Sequence, residues 1–218
     1  MWNFIANLRI NIVYKFRNDN TQFGELELIF NASRQLNPPI RILDIGCFMP
    51  IVWNNSYKLR KLATTLNVDA NPKLAIYWKL LRPREKFLNV AVTTKRYQEH
   101  SYIFHHDRSQ WARNGFDESL LRLSDKLNET FSLTQVPSIT TEELSQYTLK
   151  YLGTPDIILI DIEGLDIEVL LEILANLQDK PTFLLLENHT KSVVQDLTQM
   201  RYRLIGQRGP SQLYELIN

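Results

Sequence analysis

The chain has 218 residues, 44% hydrophobic and 22% charged, with 25 Lys and Arg against 24 Asp and Glu for a net charge of +1. That length suits one α/β domain whose core needs neither disulfides nor structural metal. The single cysteine, Cys47, excludes an intramolecular disulfide and gives no argument for an oxidising compartment, so a cytoplasmic location is expected. The near-balance of charge excludes a global attraction to nucleic acid, and no nucleic-acid partner is expected.

Met1 to Phe16 is rich in Trp, Phe, Ile and Leu, but Asn3, Asn7, Arg9, Asn11 and Lys15 interrupt every apolar run. It therefore lacks the apolar stretch of a secretory signal, and no segment approaches the roughly 18–20 apolar residues needed to span a bilayer. Phe4, Ile5, Leu8 and Ile12 fall on one helical face, which predicts an amphipathic helix. It packs either on its own domain or a partner subunit, or it makes weak peripheral contact with a membrane through residues 1–17. In the second case Trp2 and Phe4 insert while Arg9, Lys15 and Arg17 stay outside.

Gly24 to Leu36 carries Leu26, Leu28, Ile29, Phe30 and Ala32 at helical spacing, and Asn37-Pro38-Pro39 stops that helix. Residues 1–36 thus read as an N-terminal helical segment and residues 37–218 as the main domain. Ile40 to Asp44 is a short apolar strand ending in a carboxylate. Residues 55–64, with Lys58, Arg60 and Lys61, read as a basic helix. Thr65 to Asp69 is a second strand ending in Asp, Asn71-Pro72 starts a helix running to about Leu81, and Phe87 to Val92 is a third strand. Residues 93–136 are the least regular part and read as an inserted hairpin or lid with a loop. Beyond them come a helix over Glu142–Tyr151 and a strand over Asp156–Asp161, whose continuous apolar run suits a strand covered on both faces. A helix with Val169, Leu170, Ile173, Leu174 and Leu177 at core spacing follows. Then come a buried strand over Thr182–Glu187, a helix near Thr190–Met200 and a terminal antiparallel hairpin, Tyr202–Gly206 with Leu213–Ile217.

Strands alternating with helices imply an α/β fold with a mostly parallel sheet, right-handed crossovers and a C-terminal antiparallel hairpin. Ligands bind such sheets beyond the carboxyl ends of the strands, at the switch in strand order. Four predicted strands run into polar residues at that edge: Asp44, Asp69, Asp161 and Glu187-Asn188-His189. Gly46 can take a positive φ and let backbone approach a ligand. Asp69, 23 residues further on, is placed to accept hydrogen bonds from ribose hydroxyls. After Gly46 come Cys47, Phe48, Met49 and Pro50, so no second or third glycine opens a pyrophosphate cradle. That disfavours NAD or FAD and suits a nucleoside ligand without pyrophosphate, such as S-adenosylmethionine.

Ile42-Leu43-Asp44-Ile45-Gly46 through Pro50, with Asn54-Asn55-Ser56-Tyr57, resembles the first motif of FkbM-type methyltransferases. Asp69-Ala70-Asn71-Pro72 stands where that family has Glu-Pro-Asn-Pro. Arg82-Pro83, Leu88 to Val92, Leu159 to Asp166 and Leu186-Glu187-Asn188-His189 resemble its further motifs in the same order, over roughly residues 40–206. The resemblance implies a Rossmann-like class I methyltransferase fold and use of S-adenosylmethionine. It carries over Asp44, Gly46 and Asp69 as cofactor contacts, with Ala91 near the adenine; Cys47, Ala70 and Asn71 beside them complete the candidate cofactor set. It also implies an oxygen acceptor on a sugar, in a glycan, glycolipid or glycosylated metabolite. The family's Gly-Ala-Asn is Gly46-Cys47-Phe48 here, and Asp69 replaces its usual Glu. A catalytically degenerate protein that keeps the fold as a binding or scaffold module is the alternative, motivated by bulky Phe48 and Met49.

At the chemical end, Asp161, Glu163, Glu187 and His189 are the candidate catalytic residues. Asp161 and Glu163 share an i, i+2 relation, as do Glu187 and His189. An alcohol needs a base to take its proton, and His189 or Asp161 suits that role. Alternatively Asp161, Glu163 and His189 hold a divalent ion such as Mg²⁺; Glu163 as a helix cap and His189 as a loop histidine remain the plain readings. His100, His105, His106 and Asp107 form a second cluster without metal-ligand spacing, so no metal site is assigned there. Ser109, Trp111 and Arg113 in the same insertion could contact a sugar. Association into a homo-oligomer stays open.

Overall fold

The computed structural model describes residues 4–97, 101–107, 131–162, 165–187 and 193–217. Its centre is a seven-stranded sheet built from β1 (Ile40–Ile45), β2 (Ala63–Val68), β3 (Lys86–Leu88), β7 (Ile157–Ile160), β8 (Phe183–Glu187), β9 (Tyr202–Arg208) and β10 (Ser211–Leu216). The order across the sheet is β3-β2-β1-β7-β8-β10-β9. The first five are parallel; β10 runs antiparallel to β8 and to β9. The expected Rossmann-like sheet with a C-terminal hairpin is therefore the fold. From β1 the chain moves outward through β2 and β3, then returns to lay β7 on the other side of β1. The switch in strand order lies between β1 and β7, where open α/β sheets bind ligands.

The apolar runs of these strands follow from cover on both faces. Leu43, Ile45, Ile158, Ile160, Leu184 and Leu186 pack on one side. There they meet Leu144 of α4 (Thr141–Tyr151), Leu170 and Ile173 of α5 (Asp166–Asn176) and Leu197 of α6 (Val193–Gln199). Ile40, Ile42, Ile157, Leu159, Phe183 and Leu185 pack on the other, against Ile29 and Ala32 of α2 (Leu26–Ser33). Thr140 and Glu143 close a reciprocal capping box that fixes the start of α4.

Four expectations change. Residues 55–64 are not a helix: they hold a single 3-10 turn, Tyr57–Leu59, and β2 already begins at Ala63, paired with Ile40. Lys58 lies within that turn and Arg60 and Lys61 follow it, with the Arg60 guanidinium 4.1 Å over the buried Tyr57 ring. The helix expected from Asn71 starts later, as α3 (Ala75–Leu81), because the Asn71 side chain first accepts the Lys73 N–H and holds a turn. The run Phe87–Val92 is two strands, not one. β3 stays in the main sheet, whereas β4 (Ala91–Thr93) pairs with β6 (Phe131–Thr140). The break falls at Asn89, whose side-chain amide donates to the carbonyls of Asp69 and Asn71. β5 (Ser101–Asp107) pairs antiparallel with β6, giving a second sheet ordered β4-β6-β5.

The fourth change concerns α1 (Phe4–Lys15). Its buried residues are Asn7 and Asn11, whereas Phe4, Ile5 and Ile12 from the predicted apolar face are exposed. Asn11 explains the inversion: its Oδ1 accepts the N–H groups of Ile51 and Val52 at 3.2 and 3.3 Å, satisfying donors of a buried loop.

Candidate functional site

The loop after β1, residues 46–56, is held by a buried polar network rather than by regular structure. Asn20 donates to the carbonyls of Ile51 and Asn54, and Asn54 donates to the carbonyl of Cys47 at 2.8 Å. Arg82, also buried, donates to Pro50 O and Asn54 Oδ1 and pairs with Glu85. Asn54 and Arg82 belong to the Asn54-Asn55-Ser56-Tyr57 and Arg82-Pro83 motifs, and both hold loop carbonyls here.

Gly46 follows β1 with a φ of +78°. A Cβ there would lie 1.7 Å from the carbonyl oxygen of Asp161. The glycine is thus demanded by the end of β7 pressing on the loop, not only by the approach of a ligand. Its N–H donates to Val68 O, and Asp161 N–H donates to Ile45 O. Gly46, Asp161 and the end of β2 are so drawn to one level at the carboxyl edge.

A pocket opens at this level. Gly46, Asp69 and Ala70 line it; the rest of its wall is apolar and comes from Ile45, Val68, Val90, Val92, Ile162 and Leu165. Asp69 stands just beyond β2, partly exposed. Its Oδ2 accepts the Phe48 N–H and its Oδ1 the Asn71 N–H, both at 2.8 Å. Each carboxylate oxygen retains a second lone pair for a ligand. Burial pushes the carboxyl up to about 6, against the pull of those two N–H donors.

The other candidate cofactor residues, Asp44, Cys47, Asn71 and Ala91, are not among those lining this pocket. Asp44 does not end its strand: β1 runs on to Ile45, and Asp44 is inside the sheet at 3% exposure, below the pocket. Burial drives its carboxyl up to about 6, opposed by a hydrogen bond from Ser56 and the charge of Arg82. Its Oδ2 has no hydrogen-bond partner. Cys47 turns its side chain into the cluster of Met49, Val52, Leu74, Tyr77 and Trp78, and burial pushes its thiol up. Asn71 is buried, with Nδ2 unpartnered. Ala91 is buried against Val136 and Ala70, while Val90 and Val92 on either side of it line the pocket. Strand alternation around Ala91 was the signal for those two valines.

At the chemical end, the register Ile160↔Leu186 sets Asp161 and Glu187 side by side at the tips of β7 and β8. Glu163 and His189 lie outside the described residues, as do Asn188, Trp2, His100, Ser109, Trp111 and Arg113. Two of the three residues offered as a Mg²⁺ site are therefore among them. The backbone of His105, His106 and Asp107 is in β5. Among the described residues, no group of three or more His, Cys, Asp or Glu is arranged to hold a metal ion.

No family model matches the chain, and no curated protein does. Among solved structures it is similar to the cofactor-bound Rv0187 from MTB, at 11% identity and a TM-score of 0.44, over 97% of this chain and 88% of that one. It is also similar to the precorrin-6y C5,15-methyltransferase from Geobacter metallireducens GS-15. There the identity is 10% and the TM-score 0.40, over 91% of this chain and 89% of that one. Likenesses this distant say nothing of activity.

Proposed function

We propose that the chain is an S-adenosylmethionine-dependent O-methyltransferase of FkbM type, acting in the cytoplasm on a sugar hydroxyl of a glycan, glycolipid or glycosylated metabolite. The observation that carries this reading is Asp69. It is a partly exposed carboxylate at the tip of the strand next to β1, beside Gly46 and facing an apolar wall. This lining supports an adenine nucleoside as the ligand: the carboxylate would take ribose hydroxyls, Val90 and Val92 would offer an apolar surface to the base, and the sequence has no glycine-rich cradle for a pyrophosphate. Met49 is fully buried and Phe48 stacks on Trp53 with ring centroids 5.9 Å apart. Neither residue lines the pocket, which supports the enzyme reading over the degenerate alternative.

Bound there, S-adenosylmethionine supplies an electrophilic methyl group. The protein's tasks are to align the acceptor and take the proton its hydroxyl loses. Asp161 and Glu187 are level at the strand tips, and with Glu163 and His189 they are the candidates for that base.

Calorimetric titration with S-adenosylmethionine and S-adenosylhomocysteine tests the reading. The wild type binds both. Asp69→Asn weakens binding roughly 10–100-fold, the value of a hydrogen bond to a charged group. Asp161→Asn and His189→Ala keep the affinity and lose methyl transfer to the acceptor. No heat at millimolar ligand, or unchanged affinity in Asp69→Asn, sinks the enzyme reading and leaves the scaffold one.

A further inference from the structure

Helix α1 faces the wrong way for an ordinary surface helix. Its inner side is polar, with Asn7 directed to the Tyr77 hydroxyl and Asn11 to the loop. Its outer stripe is apolar: Ile5, Ile12 and Phe16 recur at i, i+7 and i+11 and are 61%, 47% and 78% exposed, with Val13 also exposed beside them. Helix α3, joined to α1 by the stacked rings of Phe4 and Tyr77 at 5.3 Å, adds exposed Ile76 and Leu80 one turn apart. Clustered exposed hydrophobics of this kind mark an interaction surface.

The charges around them are predominantly cationic. Residues 4–18 carry Arg9, Lys15 and Arg17, and residues 70–84 carry Lys73, Lys79, Arg82 and Arg84; neither stretch holds an Asp or Glu. Asp19 lies just beyond the first, and Glu85, paired with Arg82, just beyond the second. All of these cations except the buried Arg82 are exposed. A face that offers isoleucine and phenylalanine to hydrocarbon, with cations around them, complements the interface of an anionic bilayer. A second copy of the chain fits poorly, because a two-fold contact would set these cations against themselves.

We propose that the α1–α3 face docks the protein peripherally on membranes containing anionic phospholipid. No described helix is long and apolar enough to cross a bilayer, so the contact lies in the plane of the interface. The inference is independent of the methyltransferase reading.

Co-sedimentation of the full chain with vesicles tests it. Removing α1 is unsuitable, since Asn11 holds a buried loop; exposed positions are substituted instead. The wild type pellets with phosphatidylcholine vesicles containing phosphatidylserine, less so as salt rises, and not with phosphatidylcholine alone. Ile12→Asp with Phe16→Asp abolishes pelleting, and Arg9→Gln with Lys15→Gln lowers partitioning roughly 30-fold at low salt, each at unchanged melting temperature. Failure of the wild type to pellet with anionic vesicles, or unchanged pelleting of the double Asp variant, overturns the proposal. So does a wild-type dimer in light scattering that the same variant converts to monomer without any vesicle binding, which would assign the face to a second copy.

Discussion

Two aspartates with similar acidity stand in different places. Asp69 is at the pocket wall and its oxygens are both met by backbone N–H groups, whereas Asp44 is inside the sheet with Oδ2 unpartnered. For both, the folded-state value of about 6 is above the ordinary 3.8. A carboxyl raised in this way favours the fold when protonated. Its contribution is full below about pH 4 and lost as pH rises through 6. Thermal unfolding should therefore show a melting temperature that falls between pH 4 and pH 7. Asp44→Asn, which keeps the shape and removes the buried charge, should flatten that fall and leave the affinity for S-adenosylhomocysteine nearly unchanged. Equal pH profiles for wild type and variant would contradict the placement of Asp44.

At the scale of elements, the site depends on a segment with almost no regular structure. The 46–56 loop takes its shape from three asparagines and an arginine supplied by α1, the chain after it, the loop itself and the end of α3. Asn11→Ala would leave two buried N–H groups, of Ile51 and Val52, without their acceptor. The expected cost is about 2–4 kcal/mol in denaturant unfolding, at about 1–3 kcal/mol for each unmet buried group with partial relaxation. Because that loop leads from Gly46, ligand affinity should fall alongside stability. A loss below about 0.5 kcal/mol, the range of ordinary surface substitutions, would show that α1 does not support the loop.

For the molecule as a whole, the pocket joins parts distant in sequence: β1 and β2, the break between β3 and β4, and the turn into α5. A ligand that bridges them stabilises the folded chain by mass action. At a concentration a hundred times its dissociation constant the gain is about 2.7 kcal/mol. S-adenosylhomocysteine should raise the melting temperature progressively with concentration, and Asp69→Asn should shift the midpoint of that rise to higher ligand. A melting temperature indifferent to ligand would exclude a site that bridges these elements.

How much of this was legible in the sequence depended on periodicity. The runs Ile40–Ile45, Ile157–Ile160 and Phe183–Glu187 announced doubly covered strands, because continuous apolar residues leave no face for water. The terminal hairpin showed its turn, and Gly46 and Asp69 were recoverable from their place after successive strands. What the sequence hid depended on partners remote along the chain. Nothing local distinguishes an asparagine that faces water from Asn11, Asn20 or Asn54, whose amides satisfy a buried backbone. Helical spacing in α1 named an apolar face but not its direction, which the needs of the 46–56 loop decided. Asp44 and Asp69 read alike until the pairing of Asp44 with Asn67 and Leu159 set one inside the sheet and left the other at its edge. The sequence determined which strands form and where their polar ends cluster. The tertiary structure decided which of those polar groups line the pocket, because register and loop packing, not residue type, set their depth.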